Sequence, residues 1–154
     1  MRCKHTLCVL LLIGLSACGS VDERSHDHDD AHQHEAGDGE SPRTLLTHDE
    51  RYQISYTPAP DPIPFNESFA VHIDIREATA PHALVAGATL VSVEGLMPSH
   101  GHGMNTDPSV ESLGEGRFRA DGMLFHMSGR WHLDVEVSGP SGGDTVSFHI
   151  DCCD

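Results

Sequence analysis

The sequence predicts an all-β protein, an antiparallel β-sandwich of immunoglobulin-like architecture with about seven strands. Apolar and polar residues alternate with a period of two at residues 69–75, 131–137 and 146–150. This alternation is typical of half-buried antiparallel strands with one face in water. No segment requires a helix, although residues 76–86 have room for one short turn.

Weaker alternation predicts further strands, and turn signals separate them. These strands are expected at residues 51–57, 88–94, 116–120 and 122–127. Gly, Pro, Asn and Asp are the residues that tight turns favour. The predicted turns lie at Pro58–Pro64, Ala80–Pro81, Gly114–Gly116, Asp121–Gly122, Ser128–Gly129 and Gly139–Gly143. Short strands at this spacing favour a sandwich with a single core.

The N-terminus has the features of a secretory signal. Arg2 and Lys4 precede an apolar run at residues 7–15, which is too short to span a bilayer. Cys18 directly follows Leu-Ser-Ala, as in bacterial lipoproteins, so residues 1–17 are predicted to be removed and Cys18 to be lipidated. By the same resemblance, Gly19 favours the outer membrane, facing the periplasm, in a host with two membranes. The alternative is an ordinary signal peptide with an incidental cysteine.

Residues 18–43 predict a disordered tether ahead of the domain at residues 44–154. The tether has almost no apolar residues, so it cannot bury enough surface to offset its ordering entropy. Its histidines suggest weak capture of Zn²⁺, Cu²⁺ or Ni²⁺, with a plain solvated spacer as the alternative. The four histidines are His26, His28, His32 and His34.

The charge of the chain excludes one class of partner. The formal net charge is −15, and removal of Arg2 and Lys4 with the signal would leave 7 basic against 24 acidic residues, 7 − 24 = −17. Such a chain is not expected to bind nucleic acid or an anionic membrane surface electrostatically. Contact with the membrane is expected only through the lipid.

The domain contains one adjacent pair of cysteines, Cys152 and Cys153. Adjacent cysteines can close a strained vicinal ring, bind a soft metal, or pair between molecules. Their adjacency excludes a disulfide that staples the core.

The segment 97–104 carries the densest set of metal-binding side chains. It contains Met97, His100, His102 and Met104, and it is too rich in Gly and Pro to predict a helix or a regular strand. Thioether sulfur with imidazole suits copper, Cu(I) in particular, better than calcium, magnesium or manganese. Its glycines allow the backbone to bring two near-neighbour histidines around one ion.

A second group of candidate ligands is Met123, His126 and Met127. On an extended strand Met123 and Met127 would share one face and His126 would point the other way, so the two methionines are equally compatible with core packing. His126 would join the first group if the two strand ends are neighbours. Trp131 is expected to fill the core, although copper can also lie over an indole ring.

The remaining features give little indication of catalysis. There is no Gly-rich phosphate loop, Gly-x-Ser-x-Gly elbow or HExxH motif, so the chain is not expected to be an enzyme. His72, His132 and His149 lie on the polar faces of predicted strands. They form either a histidine patch or, as we favour, three solvated side chains.

Several motifs in order resemble the YtkA-like domain. They are LMPSHGHGM at residues 96–104, GRF at 116–118, GMLFHM at 122–127 and GRWHL at 129–133. The resemblance covers about residues 68–151 and extends to the FixH/CcoH group associated with cytochrome oxidase assembly. It implies a small extracytoplasmic β-sandwich that handles copper. The implied ligands are Met97, His100, His102 and Met104, with His126 and Met127 behind them.

Two hypotheses for the function follow. The first is a lipid-anchored extracytoplasmic metal-binding protein of the cell envelope, a copper chaperone or sequestering factor that exchanges copper with a donor or acceptor protein. Zinc is the alternative metal. The second is a structural or adaptor sandwich without metal in an envelope complex, including an accessory of respiratory oxidase assembly. In that case the glycines at 101 and 103 make a tight turn and the methionines pack inward.

Overall fold

Nine strands in two antiparallel sheets make up the part of the chain that the computed structural model describes, residues 43–153. The predicted signal peptide, Cys18 and the tether histidines His26, His28, His32 and His34 lie outside the described residues. The strands are β1 (Thr44–Leu46), β2 (Tyr52–Ala59), β3 (Ser68–Glu77), β4 (Thr89–Met97), β5 (His102–Gly103), β6 (Ser109–Gly114), β7 (Arg117–Leu124), β8 (Gly129–Gly139) and β9 (Gly142–Cys152).

The two sheets confirm the predicted β-sandwich. The first sheet has the strand order β1-β2-β3-β7-β6 and the second has the order β5-β4-β8-β9. Every pairing in them is antiparallel. Within residues 43–153 we find no helix that is long and apolar enough to cross a membrane.

The nine strands differ from the predicted seven in two ways: the strands predicted at 116–120 and 122–127 are one strand, β7, and three further strands, two short and one on an exposed edge, give no alternation. Strand β1 has three residues and β5 has two. All six residues of β6 are exposed, so its sequence SVESLG has no buried face to mark it. These strands pair through their backbones, which hydrophobic periodicity does not report.

The predicted turn at Asp121–Gly122 is wrong, because β7 runs through it as one strand. Phe69 pairs with Met123 and Ala70 pairs with Asp121, so Gly122 is left as the extra residue of a bulge. Its φ of +89° is a conformation that glycine adopts easily. Glycine inside a strand pattern therefore marked a bulge here and not a chain reversal.

The core lies between the sheets and consists of the inward residues of both. On β8 the buried positions are Trp131, Leu133, Val135 and Val137, which confirms the period-two pattern. Tyr56 and Phe148 join the sheets through an edge-to-face contact with ring centroids 4.8 Å apart. At one end, the hydroxyl of Tyr52 donates to the Gly142 carbonyl at 2.8 Å.

A buried carboxylate fixes the turn between β1 and β2 to the start of β9. Asp144 is 8% exposed and accepts hydrogen bonds from the backbone amides of Asp49, Arg51 and Thr145. Burial by itself raises the pKa of Asp144, but the hydrogen bonds from Thr47 and these amides outweigh it and lower that pKa below its ordinary value. The ionised form is therefore the one that holds this end of the sandwich together.

The two cysteines form a vicinal disulfide at the opposite end, one of the three states that their adjacency allows. Cys152 is the last residue of β9, pairs with Gly129 on β8 and is 4% exposed. Cys153 packs against the core from outside the strand. The disulfide ring thus lies at the end of the sheet where β4 ends and β8 begins.

Candidate metal centre

The segment 97–104 forms a hairpin and not the irregular loop that its composition predicted. Met97 is the last residue of β4, and its carbonyl accepts hydrogen bonds from the amides of His100 and Gly101, both at 3.0 Å. Gly101 has a φ of +69°, which allows the chain to reverse. His102 then pairs with Met97 as the start of β5. Gly and Pro correctly marked the turn, but a two-residue strand is too short to be recognised.

The hairpin brings His102 to His126, an arrangement that the sequence allowed only if the two strand ends were neighbours. The two ring centroids are 5.1 Å apart and the rings are stacked at 29°. His126 is not on a strand, because β7 ends at Leu124 and residues 125–128 connect it to β8. The His100 ring lies 5.8 Å from the His102 ring on the exposed side. Three predicted ligands are thus close together.

Trp131 closes the inner side of this group. It is fully buried, and its ring centroid lies 6.0 Å from His102 and 5.5 Å from His126, edge-to-face with both. Its Nε1–H donates to the Met127 carbonyl at 2.9 Å, and Phe125 stacks on it with centroids 4.5 Å apart. Trp131 is therefore a core residue, as expected, and also the wall against which both histidines rest.

Each of the two histidines has a ring nitrogen that no hydrogen bond occupies among the described residues. His102 Nδ1 lies 3.1 Å from the Gly103 carbonyl oxygen, which can only accept, so in the neutral ring Nδ1 carries the proton and Nε2 has the lone pair. His126 Nδ1 is buried and has no hydrogen-bond partner within the described residues. A buried polar atom without a partner costs about 1–3 kcal/mol, and a metal ion bound to this nitrogen would remove that cost.

Met104 supplies a thioether at the end of β7, close in sequence to His102 and close in space to Leu124. Its Sδ accepts the amide of Leu124 at 3.3 Å, which places the sulfur at the end of β7 just before Phe125 and His126. Its own amide donates to the Gly95 carbonyl at 3.0 Å. Sulfur retains a further lone pair after one weak hydrogen bond, so Met104 remains a competent soft ligand.

Gly95 makes the space that this arrangement needs, and sequence reasoning did not identify it. A Cβ at Gly95 would lie 2.7 Å from Phe125 Cε1 and 2.9 Å from Met104 Sδ. Phe125 is fully buried and cannot move away easily. The available signal was an isolated glycine in a strand pattern, which often marks a close approach.

The other predicted sulfur ligands lie on the apolar side of the group. Met97 is 2% exposed and belongs to the core, where its Cε would be 2.9 Å from a Cβ at Gly129. Met123 is fully buried. Met127 packs against the core from a partly buried position. Their roles as ligands stay predictions, while Met123 and Met97 clearly fill the core.

Two further observations limit the site. Across residues 43–153 no group of three or more His, Cys, Asp or Glu side chains is arranged to hold a metal. A site within these residues would therefore rest on fewer than three such side chains, with thioether sulfur or water as further ligands. The three strand histidines do not form one patch: His132 stacks on His149 with centroids 4.5 Å apart, whereas His72 contacts Arg119 in the other sheet.

The chain matches the model of a known family. The model of a family described as YtkA-like matches residues 47–136, which is more than half of the chain. The matched range begins and ends earlier than the resemblance at 68–151 suggested, and it contains the hairpin, His126 and Trp131. No curated protein matches the chain.

Proposed function

The chain belongs to the YtkA-like family, and from that premise we propose that it binds Cu(I) outside the cytoplasm through His102, His126 and Met104. The observation that carries the proposal is the stacked pair of imidazoles, one of which has a buried Nδ1 without a hydrogen-bond partner among the described residues. The Met104 sulfur accepts the amide of Leu124, two residues before His126. Two imidazoles and a neutral sulfur form a soft, uncharged ligand set that favours Cu(I) over harder ions. Zinc, which usually takes thiolate, imidazole or carboxylate, is less well matched by a thioether.

The position of His100 supports a role in copper trafficking or sequestration. It lies on the exposed side of the hairpin, 5.8 Å from the ring of His102. An exposed imidazole next to a partly buried ligand pair can exchange the ion with a donor or acceptor protein. The His100 side chain would make first contact, and His102 and His126 would retain the ion.

The compartment and the anchor are part of the same proposal. The apolar run at 7–15 and the sequence Leu-Ser-Ala-Cys at 15–18 support export and lipidation at Cys18. The histidines of residues 26–34 would then collect ions near the membrane. In cells fed a labelled fatty acid, Cys18→Ala is expected to abolish labelling and move the protein out of the membrane fraction. Unchanged labelling would refute the anchor.

The test is a Cu(I) titration in competition with a calibrated chelator. For this titration the four tether histidines are replaced by Asn, so that only binding to the domain is measured. Tight binding of one equivalent is expected, and Met104→Leu, which keeps the volume but removes sulfur, should weaken it by about tenfold or more, about 1.4 kcal/mol. His82→Asn is the control, because His82 lies beyond the far end of β3. The absence of tight binding would refute the proposal.

One observation favours the adaptor hypothesis as the second candidate. Met97 is buried in the core and Gly101 makes a tight turn, as a hairpin with a purely structural role would require. An adaptor would keep its partner when His100 and His102 are replaced by alanine, and it would not respond to copper. Pull-down of the same partners with and without a copper chelator separates the two candidates.

A further inference from the structure

A second pair of histidines lies on the outer face of the four-stranded sheet. His132 on β8 and His149 on β9 are direct cross-strand partners, and their rings stack with centroids 4.5 Å apart at 27°. His149 is exposed and His132 is half-buried. Trp131, the preceding residue, points into the core, so His132 faces away from the Met/His group. The pair is therefore a separate feature of the molecule.

The surroundings of this pair are acidic. Asp134 follows His132 on the same face of β8, and its Oδ1 is buried without a hydrogen-bond partner among the described residues. Glu94 lies directly opposite Asp134 on β4. Like charges in that position repel each other, so a cation bound nearby is favoured. The neighbouring cation, Arg130, already pairs with Asp151 at 2.9 Å.

We propose that His132 and His149 form a second metal site, for a divalent first-row transition ion and above all for Cu(II). Metal–imidazole bonds are about 2.0–2.1 Å long, so two nitrogens on one ion lie about 3–4 Å apart. The centroid separation of 4.5 Å is close to that spacing, and side-chain rotations that unstack the rings would turn one nitrogen of each toward a common ion. Imidazole suits borderline ions, and among these Cu(II) binds most strongly. Water would fill the remaining positions, consistent with an exposed pair.

This site is independent of the proposed Cu(I) site, because it has no thioether and lies on the opposite side of the sheet. The two sets of ligands prefer different oxidation states of copper. Sulfur with imidazole favours Cu(I), whereas imidazole with a nearby carboxylate favours Cu(II). A protein with both would hold copper in either state that it meets outside the cell membrane.

The experiment uses the full chain with Asn at the four tether histidines and alanine at His102 and His126. Titration with Cu(II) salt, followed by electron paramagnetic resonance, is expected to show one equivalent with coupling to two imidazole nitrogens. His132→Ala and His149→Ala should each lower the affinity by about 100-fold, because either change removes chelation. His72→Asn, a strand histidine beside Arg119, should have no effect.

The Cu(II) spectra of the parent chain and of the two single variants test the proposal. Absence of a two-imidazole Cu(II) spectrum, or binding that both single variants retain, would overturn the proposal. Circular dichroism checks that the variants fold, and neither side chain belongs to the core. In the unsubstituted chain, trace Cu(II) should broaden the ring proton signals of His132 and His149. A failure of the Cu(I) titration would leave these measurements unaffected.

Discussion

Replacing His126 by alanine is expected to weaken Cu(I) binding by about 100-fold, and replacing His102 to weaken it by a similar factor. The two rings lie 5.1 Å apart. Once one imidazole has bound the ion, the second binds it intramolecularly, at a high effective concentration, and replacing either histidine removes that advantage. The affinity of the double variant should therefore be only about tenfold lower than that of either single variant, much less than independent effects would give. Chelator competition measures all three affinities.

Non-specific binding to surface histidines would give a different result. Each variant would then bind slightly less copper, in proportion to the number of histidines removed, and His82→Asn would bind as much less as His126→Ala. The metal-free proteins supply a further check. Because His126 Nδ1 has no hydrogen-bond partner among the described residues, the His126→Ala variant forfeits no hydrogen bond at that atom. Its midpoint of denaturation without copper should stay close to that of the parent chain.

The parts of the fold that were predictable are those with one buried and one wet face. On β9 the residues Val146, Phe148 and Ile150 are buried and their neighbours are exposed, as the alternation of the sequence required. The same pattern identified β3 and β8. Strand β6 could not be found in this way, because an exposed edge strand is defined only by its backbone pairing with β7.

The candidate site was predictable as two groups of ligands but not as one assembly. Composition identified residues 97–104, and the chemistry of sulfur and imidazole indicated copper. Whether His126 meets His102 depends on the pairing of β4 with β8 and on where β7 ends, and neither is encoded in local periodicity. Gly95 illustrates the same limit: its importance arises from Phe125 and Met104, which approach it from distant parts of the chain.

Replacing Trp131 by alanine is expected to lower the free energy of unfolding by about 3–5 kcal/mol, the usual cost of removing a fully buried tryptophan. Trp131 is 0% exposed, stacks on Phe125 and donates a hydrogen bond to the Met127 carbonyl. That loss is a large part of the stability of an ordinary domain, about 5–15 kcal/mol. Urea denaturation of the metal-free protein measures it. A loss below about 1 kcal/mol would contradict the role of Trp131 in the core.

The same substitution should also weaken Cu(I) binding, because His102 and His126 both rest edge-on against the indole. Tyr52→Ala separates this effect from general loss of stability. Tyr52 is 1% exposed and lies at the other end of the sandwich, where its hydroxyl contacts Gly142. Both variants should lose stability, but only Trp131→Ala should lose copper affinity in the folded state. Equal losses of affinity would mean that the indole supports the fold and does not orient the two imidazoles.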